Sequence, residues 1–205
     1  AGLHDSSFRV EGDRIVAGTY GAAAVAAGGE VLLRGICPSD LKVPLEEFQK
    51  AGAAVEADEK NRQIRIRMGK RPLPLLIKTE PYPGFPTDLQ SPFMAFLATA
   101  QGTSYIEEQV FEGRFATAKI LKQMGAVIRT EDQRAVIEGH YPLKGAAVNA
   151  CDLRGGAALM VAALAAEGDT FIGECHHIER GYEDICRDMA ALGAHIRWVE
   201  NDITR

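Results

Sequence analysis

Residues 19–28 read TYGAAAVAAG, residues 89–101 read LQSPFMAFLATAQ, and residues 153–167 read LRGGAALMVAALAAE. Wound as helices, all three stretches are apolar on nearly every face, which is typical of helices that are buried on most sides. Their small alanine and glycine side chains allow neighbouring helix backbones to approach closely. The sequence therefore predicts three buried helices that pack together at the centre of the fold.

The residues after each of these helices repeat one order of elements. A glycine comes first, then a β-rich segment, then an amphipathic stretch that ends in Gly-Ala; two further strands follow in the first two copies. The paired glycines are Gly29 and Gly52, Gly102 and Gly125, and Gly168 and Gly193. A helix–strand–helix–strand–strand order repeated three times predicts an α/β (α+β) fold. We expect a pseudo-threefold domain of the inside-out α/β barrel type, with the buried helices at its centre.

The repeats also predict the domain organisation. We expect a single domain over residues 1–205, with units at about 8–72, 81–142 and 148–202. The third unit is incomplete, because one strand, HIRWVE (195–200), follows Gly193-Ala194 and the closing strand is missing. An unpaired strand edge exposes backbone N–H and C=O groups. We therefore expect residues 1–10 to cap the edge beside His195–Glu200, or a second molecule to pair with it in a dimer.

Composition and charge exclude some classes of partner. The formal net charge of −5 argues against nucleic acid, since binding a phosphate backbone requires a basic surplus. The longest apolar run, residues 157–166, is too short to span a bilayer, and no basic-then-apolar signal segment opens the chain. The sequence predicts a cytoplasmic protein with no membrane partner.

The cysteine and histidine pattern predicts neither disulfides nor a metal site. The 4 cysteines include no CxxC pair, which favours reduced thiols. Cys175, His176 and His177 are adjacent, and adjacent side chains of an extended segment point to opposite faces. The two histidines are expected at the end of a strand. Gly155-Gly156 lacks the spacing of a phosphate-binding loop, so close helix packing is its expected role.

Equivalent positions of the three units differ in charge, and repeats are expected to diverge where they carry a site. The starts of the buried helices carry Arg14, Asp88 and Arg154, and Arg114 and Arg180 precede the second helices of the second and third units. Helix N-termini attract anions, and arginine forks match phosphate and carboxylate oxygens. We therefore predict an anion site in which one carboxylate, Asp88, accepts a proton from a hydroxyl group.

The same residues also have purely structural interpretations. Asp88 at a helix start is most simply an N-cap, and the N–H groups that it would then accept from would weaken it as a base. Arg114 and Arg180 could instead form surface ion pairs with Glu112 and Glu183. Four arginines at two pairs of equivalent positions favour the site over the ion pairs.

Several blocks of the chain are similar to one known family. The blocks are PYPGFPTDLQ (81–90), EEQVFEGRF (107–115), KQMGA (122–126), CDLRGGAAL (151–159), HHIERGYEDI (176–185) and GDRIVAGTY (12–20). In order and spacing they resemble the signature blocks of the UDP-N-acetylglucosamine enolpyruvyl transferases. The match covers nearly the whole chain, and GFPTD and RGYE are its more specific parts.

The resemblance implies a reaction and a set of contacts. The family moves the enolpyruvyl group of phosphoenolpyruvate to the 3'-hydroxyl of UDP-N-acetylglucosamine, a step of peptidoglycan synthesis, and releases phosphate. No cofactor and no metal is implied. On the matching blocks, Asp88 deprotonates the hydroxyl and Val110 touches the nucleotide-sugar. Arg114, Arg154 and Arg180 match arginines around the phosphoenolpyruvate, and Arg14 matches a supporting arginine. Asp88 and Arg180, the closest contact, are the catalytic candidates.

Part of the family's site has no match in this chain. In the family the catalytic cysteine, its mobile loop, a lysine and further arginines lie in another domain, and no cysteine here stands in the matching context. We therefore expect this chain to be the C-terminal domain of such an enzyme, inactive without the N-terminal catalytic domain. Two alternatives stay open: a non-catalytic module that binds an anion or a nucleotide-sugar, and a transferase of the same fold that acts on shikimate 3-phosphate.

Overall fold

A computed structural model describes residues 3–8 and 10–199 of the chain. The first unit has the predicted order of helix, strand, helix and two strands. Its elements are α1 (Arg14–Ala27), β1 (Glu30–Arg34), α2 (Lys42–Lys50), β2 (Ala54–Asp58) and β3 (Gln63–Arg67). Both β1 and β2 pair antiparallel with β3, which is therefore the central strand of a three-stranded sheet.

The second unit repeats this order and adds a strand before the buried helix. Its elements are β4 (Leu76–Lys78), α3 (Gln90–Leu97), β5 (Thr103–Glu107), α4 (Ala116–Leu121), β6 (Val127–Glu131) and β7 (Arg134–Glu138). β5 and β6 pair antiparallel with the central strand β7, and β4 pairs parallel with β5. The repeat pattern did not predict β4, because its three residues lie among prolines.

The third unit is built from shorter elements. They are β8 (Leu143–Lys144), β9 (Ala147–Asn149), α5 (Leu153–Ala163), β10 (Ala166–Glu167), β11 (Phe171–Gly173), α6 (His176–Glu179) and α7 (Ile185–Ala191). β8 pairs parallel with β10, and β9 pairs parallel with β11. The first buried helix and the amphipathic helix of the repeat are therefore present here as α5 and α7.

The strand predicted at 195–200 is not formed in its described part, residues 195–199. In the other units the corresponding strands, β2 and β6, pair with a central strand that follows them. No segment of the described residues supplies that central strand to the third unit, so 195–199 has no backbone partner. Residues 3–8 and 10 form no strand either and do not cap this edge, whereas pairing between two molecules stays a prediction.

The prediction that His176 and His177 lie at the end of a strand is wrong. They open the single-turn helix α6, in which the Cys175 carbonyl oxygen accepts from the N–H of Ile178 at 2.8 Å. Glu174, which follows β11 directly, has a positive φ of 56° and separates the strand from α6. Ile178 is buried against α5, and its burial stabilises a turn where an extended strand was expected.

The three buried helices α1, α3 and α5 form the centre of the core, and each contacts the other two. All eight residues of α3 are buried, including Phe93 and Phe96. The Phe93 ring lies 4.6 Å from that of Phe48 in α2, 4.8 Å from that of Phe85 and 4.9 Å from that of Phe96, measured between centroids. This cluster joins the first unit to the second, which fixes the relative positions of their helix ends.

Close packing explains the paired glycines of α5, as the sequence predicted. A Cβ on Gly156 would lie 2.5 Å from Cγ1 of Ile178 and 3.1 Å from Cβ of Ala150. A Cβ on Gly155 would lie 2.9 Å from the Cys151 sulfur. A side chain at either position would push α6 or the chain before α5 away from the helix, so both segments depend on glycine here.

Candidate functional site

The N-terminal ends of α3 and α5 meet at Asp88. This residue lies in the short 3-10 helix Thr87–Leu89 that leads into α3. Its Oδ1 accepts a hydrogen bond from Nη2 of Arg114 at 2.7 Å, and its Oδ2 accepts from Nη2 of Arg154 at 3.1 Å. Arg114 precedes α4 and Arg154 is in the first turn of α5. Three of the predicted site residues therefore form one contiguous cluster, the Asp88 cluster.

The N-cap interpretation of Asp88 is wrong. Neither the 3-10 helix nor α3 has a side-chain cap. The aspartates that do cap buried helices are Asp13, which accepts from the N–H of Ile15 at 2.7 Å, and Asp152, which accepts from that of Gly155 at 2.7 Å. Asp88 does not cap because its carboxylate turns to the two guanidinium groups instead.

The two arginines determine the charge of Asp88. Partial burial would raise the pKa of this carboxyl, but the hydrogen bond from Arg114 and the charge of Arg154 outweigh burial. The pKa is thus held below its ordinary value of 3.8, and Asp88 is ionised at neutral pH. Each oxygen keeps a free lone pair, so the carboxylate can still accept a hydrogen bond from a ligand hydroxyl.

We expect these contacts to make stability depend on pH in the acid range. A carboxyl whose folded-state pKa is depressed stabilises the fold above its unfolded-state pKa, and this contribution is lost as the pH falls through the folded value. Urea unfolding of the wild type and of Asp88→Asn should show a difference in unfolding free energy that is constant near neutrality and shrinks below pH 3.8. A difference that persists unchanged into acid would contradict the described pairing.

Arg114 is fixed by more than its ion pair. Its Nη1 donates to Oγ1 of Thr87 at 2.9 Å, and its guanidinium carbon lies 5.0 Å from the centroid of the Phe111 ring. The ion pair with Glu112 that the sequence left open is not formed among the described residues. Arg114 therefore faces the cluster and presents a planar, charged fork to it.

Arg154 connects the cluster to the first unit. It lies near the hydroxyl of Tyr182. Burial raises the pKa of this hydroxyl above its ordinary value, and the hydrogen bond to Thr19 and the charge of Arg154 offset part of that rise. The Tyr182 hydroxyl and Oγ1 of Thr19 are 2.9 Å apart, and Thr19 is buried in α1. Contacts from α1, α5 and the segment before α7 therefore hold this end of the domain together.

The remaining predicted residues, Val110, Arg14 and Arg180, are not part of this cluster. Val110 is exposed on the turn after β5. Arg14 lies in the first turn of α1 with its guanidinium carbon 5.0 Å from the centroid of the Tyr82 ring, next to the 81–90 block. Arg180 is exposed, and within the described part of the chain it has no ion-pair partner, because Glu183 pairs with Arg187. Neither Arg14 nor Arg180 contacts Asp88, and Gly181, next to Arg180, packs against Leu153 at the start of α5.

Sequence reasoning missed Thr87 and Glu108. Glu108 is fully buried, and its carboxylate accepts from the Thr87 hydroxyl, which in turn accepts from Arg114. A signal was present in the alternation that runs through β5 to the residue directly after it, since Ser104, Ile106 and Glu108 are all buried. A carboxylate at an inward position of a strand needs donors, and that requirement could have identified it.

Other features lie away from the cluster. A groove of about 400 Å³ runs between α1, β1 and α7, and it does not include Asp88. All four cysteines are free, and no three metal-binding side chains converge among residues 3–8 and 10–199. In that same part of the chain, no helix combines the length and apolarity that crossing a bilayer requires.

Comparison with known proteins identifies the family. The family model for EPSP synthase (3-phosphoshikimate 1-carboxyvinyltransferase) matches residues 1–189. The chain is 47% identical over 189 residues to a UDP-N-acetylglucosamine 1-carboxyvinyltransferase of Desulfofundulus thermocisternus, covering 92% of this chain and 77% of that protein. It is also 47% identical to UDP-N-acetylglucosamine 1-carboxyvinyltransferase 2 of Carboxydothermus hydrogenoformans, covering 92% of this chain and 45% of that protein.

A solved structure shows the same fold. The enolpyruvyl transferase NikO from Streptomyces tendae superimposes with a TM-score of 0.81 and 28% sequence identity, over 92% of this chain and 44% of that one. The chain thus spans less than half the length of NikO and of the Carboxydothermus relative. The chain belongs to the EPSP synthase (3-phosphoshikimate 1-carboxyvinyltransferase) family, and its curated relatives at 47% identity are UDP-N-acetylglucosamine 1-carboxyvinyltransferases.

Proposed function

We propose that this chain is a domain of a UDP-N-acetylglucosamine 1-carboxyvinyltransferase. In this reaction the 3'-hydroxyl of UDP-N-acetylglucosamine loses its proton and adds to the central carbon of phosphoenolpyruvate, while the methylene carbon takes up a proton and becomes a methyl group. Loss of phosphate and of one methyl proton then restores the double bond and leaves the enolpyruvyl group on the sugar, which makes the enzyme part of peptidoglycan precursor synthesis in the cytoplasm. The observation that carries the proposal is the ionised Asp88 carboxylate held between Arg114 and Arg154, in a chain 47% identical to enzymes of that name.

The chemistry of the Asp88 cluster suits this reaction. The tetrahedral intermediate carries a phosphate and a carboxylate on the same carbon atom, and preorganised guanidinium groups stabilise such charge. Arg114 and Arg154 supply two of these groups, and the exposed Arg180 and Arg14 supply further positive charge nearby. Asp88 is the acidic member of the cluster and takes the hydroxyl proton. A phosphate that draws the two guanidinium groups toward itself would relieve their hold on Asp88 and strengthen it as a base.

A second domain would complete the site. The Asp88 side chain is 37% exposed and that of Arg114 27%, so the cluster lies open on one side. Small-molecule sites usually bury most of their ligand, so another wall is required. We propose that residues 1–205 form one domain, that its three units are related by a pseudo-threefold axis in an inside-out barrel, and that the other wall is an N-terminal domain with the family's cysteine loop. Turnover then needs both domains.

Shikimate 3-phosphate is the alternative acceptor, because the matching family model carries that substrate in its name. Both acceptors offer a hydroxyl to a base and both reactions release phosphate from phosphoenolpyruvate, so the Asp88 cluster is compatible with either. The curated relatives at 47% identity favour the nucleotide-sugar. Exposed Val110, on the turn beside the cluster, offers an apolar contact for it.

Binding to the 205-residue chain separates the two acceptors. We expect calorimetry to show UDP-N-acetylglucosamine binding at least about tenfold more tightly than shikimate 3-phosphate, a difference of about 1.4 kcal/mol. Val110→Glu should weaken the nucleotide-sugar complex, whereas Val127→Glu, at a similarly exposed valine in β6, should not. With both substrates present, phosphate release by this chain should stay at background. Preference for shikimate 3-phosphate would contradict the proposal.

A further inference from the structure

Glu108 is a buried carboxylate with an unusual set of partners. It follows β5 directly, its side chain has no exposure, and no lysine or arginine of the described residues forms an ion pair with it. A buried charge without a cation persists only when hydrogen bonds replace its water. Four donors surround the carboxylate, and two of them belong to residues that contact Arg114, namely Thr87 and Phe111.

The two carboxylate oxygens of Glu108 have separate tasks. Oε1 accepts from the Thr79 hydroxyl at 2.8 Å and from the backbone N–H groups of Val110 and Phe111 at 3.0 and 3.1 Å. Oε2 accepts from the Thr87 hydroxyl at 2.8 Å. The first set fixes the turn that carries Val110 and the ring beside Arg114. The second connects Glu108 to the residue immediately before Asp88.

The direction of the hydrogen bonds along this connection is determined. Arginine can only donate, so the Thr87 hydroxyl must accept from Nη1 of Arg114, which lies 2.9 Å away. The single proton of that hydroxyl must then go to Glu108. Glu108 therefore has to be an acceptor on this side, and a neutral amide with its NH₂ group here would compete with Arg114 for the same hydroxyl oxygen.

We propose that Glu108 is a positioning residue of the site: through the Thr87 hydroxyl it holds the Arg114 guanidinium against Asp88, and through the N–H groups of Val110 and Phe111 it fixes the adjoining turn. The catalytic meaning of this relay rests on the proposed function. The relay itself is a property of the chain and can be measured without substrate. Glu108 touches no reacting atom, so its effect reaches the chemistry through Arg114 and through the turn that carries Val110.

Replacing Glu108 with glutamine tests the relay while preserving shape. Three donors face Oε1 and one faces Oε2, so the amide oxygen will take the Oε1 position and the NH₂ group will face Thr87. Thr87 then receives two donors and its own proton has no acceptor. The guanidinium of Arg114 should detach from Thr87 and from Asp88, and the pKa of Asp88 should rise toward its ordinary value.

The measurement is the carbon-13 NMR titration of the Asp88 carboxyl in the 205-residue chain, together with the Arg114 guanidinium signals at neutral pH. We expect Glu108→Gln to raise the Asp88 midpoint and to release the rotation of the Arg114 guanidinium. Thr87→Val, which replaces the hydroxyl with a methyl group of similar size, should do the same, and the double variant should go no further than either. Thr87→Ser, which keeps the hydroxyl, should match the wild type.

Glu47→Gln is the control for loss of a poorly exposed carboxylate, because Glu47 pairs with Lys50 in α2 and lies outside the cluster. It should leave the Asp88 midpoint unchanged. If Glu108→Gln does not fold, the NMR titration of Thr87→Val tests the proposal by itself. An Asp88 midpoint and Arg114 signals that stay at wild-type values in a folded Thr87→Val or Glu108→Gln chain would overturn the proposal. A failure of enolpyruvyl transfer would leave this result untouched, so the two claims fail separately.

Discussion

Replacing Asp88 with alanine is expected to lower enolpyruvyl transfer by about 10²–10⁴-fold, the usual effect of removing a general base. The assay needs a two-domain protein, and a chimera provides one if this chain replaces its aligned segment in the Carboxydothermus hydrogenoformans relative. The reduction should appear in kcat rather than only in KM, because Asp88 acts on the proton that moves in the reaction. Phosphate release over a series of substrate concentrations separates the two constants.

Asp13→Ala is the matched control for this change. Asp13 is a true N-cap, of α1, so its loss should destabilise the fold by about 1 kcal/mol and leave the transfer rate of the folded chimera unchanged. The opposite pattern for Asp88→Ala, a stability loss with a normal rate, would show that the carboxylate only orders its two arginines.

Phe93→Ala is expected to lower the free energy of unfolding by about 3–5 kcal/mol. The ring is fully buried and lies within 5 Å, centroid to centroid, of three other phenylalanine rings from two units. Its removal leaves a cavity at the centre of the helix cluster. Because domains are commonly stable by only about 5–15 kcal/mol, this single change brings the chain close to unfolding.

Urea unfolding of the chain measures this effect, and Phe171→Ala provides the comparison. Phe171 in β11 is 59% exposed, so its loss should cost less than about 1 kcal/mol. Equal destabilisation by the two substitutions would mean that the four rings do not form the centre of the core.

Local pattern was enough to predict the buried helices. The sequences of α1, α3 and α5 are apolar on nearly every face. The repeat of glycines marks their ends only roughly, because α1 ends two residues before Gly29 and α3 and α5 end five residues before Gly102 and Gly168. The proximity of Asp88 to Arg154 also followed from the repeat, because equivalent helix starts were expected at one end of the domain. The 66 residues that separate them in sequence made no difference, since repetition carries long-range information that a single motif lacks.

Non-local pairing explains what the sequence did not predict. HIRWVE has the composition of a strand, but a strand forms only beside a partner, and the described residues of the third unit provide none. Asp88 looked like a cap from its neighbours in sequence, whereas its actual partners lie 26 and 66 residues away. The Glu108 relay combines the residues directly after β4 and β5 with Thr87 of the 3-10 helix before α3, so no local pattern could reveal its connectivity.

Product analysis of the chimera tests the central claim most directly, namely that the Asp88 cluster serves enolpyruvyl transfer to UDP-N-acetylglucosamine. The chimera is given phosphoenolpyruvate with either UDP-N-acetylglucosamine or shikimate 3-phosphate, and phosphate and product mass are followed beside the unaltered Carboxydothermus protein. We predict one phosphate released for each nucleotide-sugar consumed, with a product heavier by one enolpyruvyl group. A folded chimera that transfers to shikimate 3-phosphate instead, or that releases no phosphate while the unaltered protein does, would contradict the account.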